Sequence, residues 1–110
     1  MTARLVISQR AEEDLTRQYR WYLDHAGMEV AERFLAAFDA SMALLAVFPA
    51  SGRRCRYAAP ELTGMRWQAV RAPFVLHLVF YRAIGDELSN ERVMHGARDL
   101  PRRLLEPSLA

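Results

Sequence analysis

The sequence predicts an α+β domain of order β-α-α-β-β-β, in which an antiparallel sheet packs against an N-terminal helical hairpin. Two observations predict this class. Apolar residues recur every three or four positions over residues 9–48, which is typical of amphipathic helices. After Pro49 the pattern changes to alternating and continuous apolar runs separated by Ala-Pro and Gly-Asp turns, which is typical of strands. A chain of 110 residues that is 52% hydrophobic is expected to form one domain over residues 1–110.

The first half of the chain is predicted to form a short strand over Arg4–Ile7 and two helices. Ser8 is the predicted N-cap of a helix over Gln9–Ala26, and Gly27 is predicted to end it. The apolar face of this helix consists of Ala11, Leu15, Tyr19, Tyr22 and Ala26. A second helix is predicted from near Glu29 to just before Pro49, with a stripe that consists of Val30, Phe34, Phe38, Ser41, Leu45 and Phe48. A turn at Gly27 makes the two helices an antiparallel hairpin.

The second helix carries more apolar surface than one stripe requires. Leu35 and Met42 lie off the stripe, and positions 36, 40 and 43 are alanines. A helix that is apolar most of the way round is buried on more than one side. Either another chain covers the second side, or the helix lies centrally between the first helix and the sheet.

The second half of the chain is predicted to supply the rest of the sheet. Residues 51–63 are predicted to be a loop, and residues 65–69 alternate as a half-buried strand does. Residues 74–81 are almost continuously apolar, which predicts a central strand covered on both faces. The last predicted strand is Glu87–His95, but the polar residues 89–91 predict that its first half is an edge or is frayed.

Composition excludes several classes of function. The net charge is only +2, so bulk electrostatics do not predict a nucleic-acid-binding protein, although residues 51–110 hold ten arginines against six acids. All fifteen basic residues are arginine, which excludes a mechanism that requires lysine. A single cysteine, Cys55, excludes an internal disulfide and fits a reducing cytosol. We expect a cytoplasmic protein with no signal peptide, no membrane span, no metal site and no cofactor.

The densest polar cluster lies at the end of the last predicted strand. His95, Arg98 and Asp99 follow an apolar pair and are separated by Gly96, which permits a sharp change of backbone direction. Such a cluster is a candidate site, and the alternative is a solvated turn in which the Arg and Asp pair with each other. Of the other histidines, His77 lies within the apolar strand and is predicted to be a hydrogen-bonded core residue, and His25 lies at a helix C-terminus.

The segment Arg92-Val93-Met94-His95-Gly96-Ala97-Arg98-Asp99, the strand end Val79-Phe80-Tyr81-Arg82 and the element order together resemble the ParE-type toxins of the RelE/ParE superfamily. The resemblance implies the toxin of a type II toxin–antitoxin pair, a non-enzymatic inhibitor of DNA gyrase. It implies neutralisation by a ParD-like antitoxin, a ribbon-helix-helix protein whose C-terminal segment wraps the toxin. Direct sequence-specific binding of nucleic acid is not expected.

The resemblance also directs attention to two surfaces. The expected target-binding surface consists of Arg71, His95, Arg98 and Asp99. The expected antitoxin-binding surface consists of Leu15, Tyr19, Tyr22, Leu35 and Met42, and an amphipathic partner helix there would account for the excess apolar surface of the second helix.

Two alternatives stay open. The RelE-like branch of the superfamily cleaves mRNA on the ribosome, and Arg71 and Arg98 match two basic positions of that branch. The aromatic acid–base group of that branch falls near Leu104, and this chain has no Tyr or His after His95, so His95 would have to transfer the proton. The third possibility is a non-toxic relic that retains only antitoxin binding.

Overall fold

The helical hairpin forms as the sequence predicts and packs on a sheet, in a computed structural model that describes residues 2–55 and 63–96. The elements in chain order are β1 (Arg4–Ile7), α1 (Gln9–Ala26), α2 (Met28–Val47), β2 (Arg53–Arg54), β3 (Arg66–Ala69), β4 (His77–Ile84) and β5 (Glu87–His95). The α+β class and the order of the six predicted elements are confirmed, and β2 is an additional strand. The cluster positions Arg98 and Asp99 lie outside the described residues.

Local capping explains the bounds of α1. The Ser8 hydroxyl oxygen accepts a hydrogen bond from the backbone N–H of Ala11 at 3.0 Å, so the N-cap is confirmed. Gly27 has φ 93° and donates its N–H to the carbonyl of Tyr22, which ends α1 at Ala26. Because α2 begins at the next residue, Gly27 is the whole connection of the hairpin.

The sheet is mixed rather than antiparallel, so that part of the prediction is wrong. Its strand order is β1-β5-β4-β3-β2, and β1 pairs with β5 in parallel while the other neighbours are antiparallel. The hydrophobic pattern of one strand does not specify the direction of its neighbour, so a single sequence does not distinguish these pairings. The short β2 lies within the segment predicted to be a loop and pairs with Arg66 and Trp67 of β3.

The first half of β5 is an internal strand, which corrects the prediction that it is frayed. Residues Glu87–Asn90 pair with β1 on one side and with β4 on the other, and Asn90 is fully buried. The Ser8 backbone N–H and hydroxyl donate to the carbonyls of Asn90 and Glu91. These polar residues therefore lie at a site where β5 bulges opposite β4 and α1 begins.

The long central strand begins later than predicted. The apolar residues 74–76 form a turn before β4, in which Phe74 is buried while Val75 and Leu76 are 51% and 60% exposed. From His77 to Arg82 the strand is covered on both faces, and its last two residues, Ala83 and Ile84, are exposed. Val79 and Tyr81 pack under the helices, and Phe80 packs on the opposite face in a smaller apolar cluster with Met65 and Met94.

The main core lies between the hairpin and the sheet. Phe34, Phe38 and Leu45 of the predicted stripe are buried, whereas Phe48 is 57% exposed because α2 ends one residue before it. Met42 is only 6% exposed and belongs to this core. The central position of α2 therefore accounts for at least part of its excess apolar surface. Truncation of a buried Phe of this kind to Ala costs about 3–5 kcal/mol.

Candidate functional site

The pairing of β4 with β5 places two histidines side by side at one end of the sheet. His77, the first residue of β4, is opposite His95, the last residue of β5. Their ring centroids are 4.9 Å apart at 70°, an edge-to-face arrangement. His77 is buried and His95 is exposed. The predicted site residue His95 therefore lies at the surface, with its ring against the buried ring of His77.

Side chains of α1 form hydrogen bonds with the backbone of β5 beyond the point where β1 ends. The β1–β5 pairing ends at Ile7 and Asn90, and no strand of the described residues pairs with the rest of β5 on that side. The Asp14 carboxylate instead accepts the N–H of Val93 at 3.0 Å, and the Gln18 amide donates to the carbonyl of Val93 at 2.8 Å. One helix face thus satisfies the backbone of β5 directly before His95.

Asp14 also forms an ion pair in the interior that the sequence interpretation missed. Its carboxylate accepts two bonds from Arg92, at 2.7 and 3.1 Å, and one from Arg17 at 2.7 Å. Asp14 is 2% exposed and Arg92 8%. The sequence does contain a signal for this pair. Asp14 and Gln18 lie among the apolar residues Ala11, Leu15 and Tyr22 on one face of α1, and a polar residue on such a face requires a buried partner.

Two hydrogen bonds hold His77 as a neutral ring, which confirms that it is a hydrogen-bonded core histidine. Because the amide nitrogen of Gln18 donates to Val93, its oxygen faces His77 Nδ1 at 2.6 Å and accepts a hydrogen bond from the Nδ1–H group. His77 Nε2 then accepts from the Tyr22 hydroxyl at 2.8 Å. Burial, followed by the charge of the nearby His95, lowers the pKa of His77 from 6.5 to about 4.

A cleft of about 260 Å³ opens above these histidines between α1 and the end of the sheet. Its lining consists of Arg17, Gln18, Trp21, Tyr22, His77 and His95. Two aromatic walls and two exposed cationic or protonatable groups, Arg17 and His95, suit one planar or acidic side chain of a partner. Both ring nitrogens of His77 are occupied, so His95 is the exposed histidine of this cleft that a ligand can contact.

Arg71 lies at the same end of the sheet as His95. Val70 donates its N–H to the carbonyl of His77, and Arg71 begins the exposed turn that follows. The backbone N–H of Arg71 donates to the Ser41 hydroxyl at 3.0 Å, which ties the turn to α2. The structure therefore places two of the four predicted target-binding residues, Arg71 and His95, at the same end of the sheet. The other two, Arg98 and Asp99, follow His95 in the chain after Gly96.

The predicted antitoxin-binding residues differ in exposure. Leu15, Tyr19, Tyr22 and Leu35 are half-buried on the hairpin, and the Tyr19 hydroxyl donates to Glu32 at 3.0 Å. Met42 instead belongs to the core. Tyr22 lines the same cleft as His95, so the two surfaces that the sequence separates meet at this point.

Over the described residues, no group of three His, Cys, Asp or Glu side chains could hold a metal ion. In the same part of the chain, no helix combines the length and the apolar character needed to cross a bilayer.

Comparison with known proteins decides the family. The model of the ParE toxin of type II toxin–antitoxin systems matches residues 5–100. The chain belongs to the ParE toxin family. A chain of the solved chromosomal ParDE toxin–antitoxin system from P. aeruginosa has the same fold, with a TM-score of 0.71 and 18% identity. The match covers 87% of the present chain and 98% of that one, and no curated protein sequence matches.

Proposed function

We propose that this ParE-family chain inhibits DNA gyrase by protein–protein binding and that a ParD-like ribbon-helix-helix antitoxin neutralises it. The observation that carries the proposal is the family match, which extends over residues 5–100 and so includes all nine proposed binding residues. The similarity to a chain of a ParDE system supports the fold on which the proposal depends.

The proposed target-binding surface is the end of the sheet that holds Arg71 and His95, together with Arg98 and Asp99. Arg71 and His95 are both exposed, and their backbones are anchored to buried elements through Ser41 and through the pairing with His77. Because the backbone here is already fixed, binding has to order only the side chains, which lowers the entropic cost of association. This favours a role in recognition of a protein surface.

The proposed antitoxin-binding surface is the half-buried part of the hairpin around Leu15, Tyr19, Tyr22 and Leu35. All four side chains are half-buried, so each offers apolar area that a partner helix can cover. Met42 was proposed with them, but the core of the folded chain covers it, so an antitoxin that binds this fold would not reach it directly.

The shared cleft suggests how neutralisation would work. Tyr22 of the antitoxin-binding surface and His95 of the target-binding surface line one cavity. A side chain of the antitoxin that enters this cleft would occupy the space beside His95. We therefore propose that antitoxin and gyrase compete for the toxin by direct occlusion.

Binding competition tests this proposal. Purified toxin is immobilised, and gyrase binding is measured with and without a stoichiometric amount of the ribbon-helix-helix protein expected from the adjacent gene. The proposal predicts that gyrase binds the free toxin, that the antitoxin abolishes binding, and that His95→Ala weakens gyrase binding while His25→Ala does not. His25 is the control because it is an exposed histidine of α1 that does not itself line the cleft, although its ring stacks on Trp21, which does.

Two results would contradict the proposal. If the toxin binds ribosomes and not gyrase, the alternative of an mRNA interferase that uses Arg71, Arg98 and His95 replaces it. If the toxin binds only the antitoxin, the chain is a non-toxic relic.

A further inference from the structure

Arginines and acidic residues are unevenly distributed along this chain, and most of the arginines lie outside both proposed binding surfaces. Between Ala40 and Gly85 the sequence contains six arginines and one acid, Glu61. Five of these arginines lie in the described residues: Arg53, Arg54, Arg66, Arg71 and Arg82. By contrast, residues 1–39 contain five arginines and seven acids.

The strand order places this basic segment at one edge of the molecule. The sheet runs β1-β5-β4-β3-β2, so β2 and β3 lie at the edge farthest from β1. Arg82 is held near Glu91 at 3.8 Å and is not counted as part of the surface. The exposed arginines of what we call the basic edge are Arg53 and Arg54 of β2, with Arg71 in the turn after β3.

Hydrogen bonds from the side chains of Tyr81 and Arg66 fix the backbone next to the basic edge. The Tyr81 hydroxyl donates to the carbonyl of Pro49 at 2.7 Å and accepts the N–H of Gly52 at 2.9 Å. A Cβ at Gly52 would collide with the same hydroxyl, so only glycine fits there. Arg66 donates to the carbonyl of Gly52 at 2.8 Å. These bonds order the chain immediately before Arg53.

The two β2 arginines lie on opposite faces of a single edge strand, because consecutive strand residues point to opposite sides. The Arg53 guanidinium lies 5.5 Å from the centroid of the Trp67 ring, which restrains it while its N–H groups stay available. Arg54 is opposite Arg66 across the β2–β3 pair. Arg53 and Arg54 form no ion pair with a carboxylate of the described residues, and planar guanidinium groups of this kind match the oxygens of a phosphate backbone.

We propose that the basic edge binds the phosphate backbone of duplex DNA without regard to sequence. The choice of duplex DNA rests on the proposed function, since gyrase holds such a duplex, whereas the phosphate chemistry rests on the arginines alone. Three phosphate contacts give a slope of about −2.7 for log K against log salt concentration, at about −0.9 for each contact. Affinity then falls about 40-fold between 50 and 200 mM salt.

The test is fluorescence anisotropy of a labelled 20-base-pair duplex of mixed sequence, titrated with free toxin from 50 to 200 mM KCl. For the double variant Arg53→Gln/Arg54→Gln, we expect weaker binding and only about a 3.5-fold fall over the same salt range. Arg20→Gln/Arg33→Gln removes the same charge from exposed sites on the hairpin and should match the parent. Arg53→Lys/Arg54→Lys should restore the salt dependence, which separates lost charge from lost folding.

Several outcomes overturn the inference. These are an unchanged salt slope in Arg53→Gln/Arg54→Gln, equal losses in the hairpin control, tighter binding of single-stranded RNA, or displacement of the duplex by poly-glutamate at equal charge. Gyrase inhibition by a toxin that does not bind duplex DNA contradicts this inference alone. Duplex binding by a toxin that has no effect on gyrase contradicts the proposed function alone.

Discussion

Replacement of Asp14 by alanine should be among the most destabilising single changes near the candidate site. The substitution removes the carboxylate that pairs with Arg92 at 2.7 Å and accepts the N–H of Val93, in a region where Asp14 is 2% exposed. Loss of one partner of a buried pair costs about 3–5 kcal/mol. With an unfolding entropy of about 2.1 cal/mol/K per residue, a chain of this length should lose about 13–22 °C of melting temperature.

Urea unfolding followed by circular dichroism measures this change. Asp14→Asn keeps an acceptor for the Val93 N–H but not the charge, so it should lie between the parent and Asp14→Ala. Asp14→Leu combined with Arg92→Met should recover much of the loss, because replacement of both buried charges is often close to neutral. The matched control is Arg4→Gln, which breaks the exposed Arg4–Glu87 pair of the same 2.7 Å length and should cost less than about 1 kcal/mol. If Asp14→Ala costs no more than Arg4→Gln, the buried network does not stabilise the fold as argued.

Three further predictions concern His77, the proposed antitoxin interface and Arg98. The pKa of His77 is lowered from 6.5 to about 4 in the folded chain, so the unfolded chain binds the proton first as the pH falls. The free energy of unfolding should therefore fall by about 3 kcal/mol as the pH drops from above 6.5 to 4. In urea titrations across that range His77→Gln should flatten this dependence, and an equally steep profile in the variant would contradict the assignment. Tyr19→Ala should leave the melting temperature within a few degrees, because the contact of Tyr19 with Glu32 is exposed, and should weaken antitoxin binding by at least about 10-fold by calorimetry, since it removes an aromatic anchor from the proposed interface; unchanged affinity would place the antitoxin elsewhere. Arg98→Ala should abolish growth inhibition while antitoxin binding survives, and loss of both in the same variant would indicate a folding defect.

The helical hairpin was predictable because its signals are local. The bounds of α1, its N-cap Ser8 and the turn at Gly27 depend on residues within one helical turn of each other. The structure confirms all three, and α2 begins one residue earlier than predicted. A hydrogen-bonded His77 was predictable too, because a polar ring within an apolar strand needs a partner.

The sheet was predictable only in part because pairing is not local. The parallel contact of β1 with β5 joins residues more than eighty positions apart, and it converts the polar segment 89–91 from an expected edge into an internal strand. The strand β2 is two residues long and has no pattern of its own. The turn at 74–76 is as apolar as the strand that follows it, so hydrophobicity placed the start of β4 too early.

The candidate site depends on a buried polar network that local sequence patterns do not predict. Asp14 and Arg92 are 78 positions apart in the sequence, and they form one buried pair that anchors β5 next to His95. The sequence placed Tyr22 and His95 on different surfaces, whereas both line one cleft. Periodicity also did not separate the buried Met42 from the half-buried Leu35 on the same helix.

The most direct test of the central proposal is a DNA-cleavage assay with purified gyrase, ATP and supercoiled plasmid, with and without the free toxin. Inhibition by trapping of the cleaved complex predicts that protein-linked linear DNA accumulates with toxin concentration, and that an equimolar amount of antitoxin prevents this. No linear DNA at a large excess of toxin, in a preparation that circular dichroism shows to be folded, would contradict the proposal that gyrase is the target.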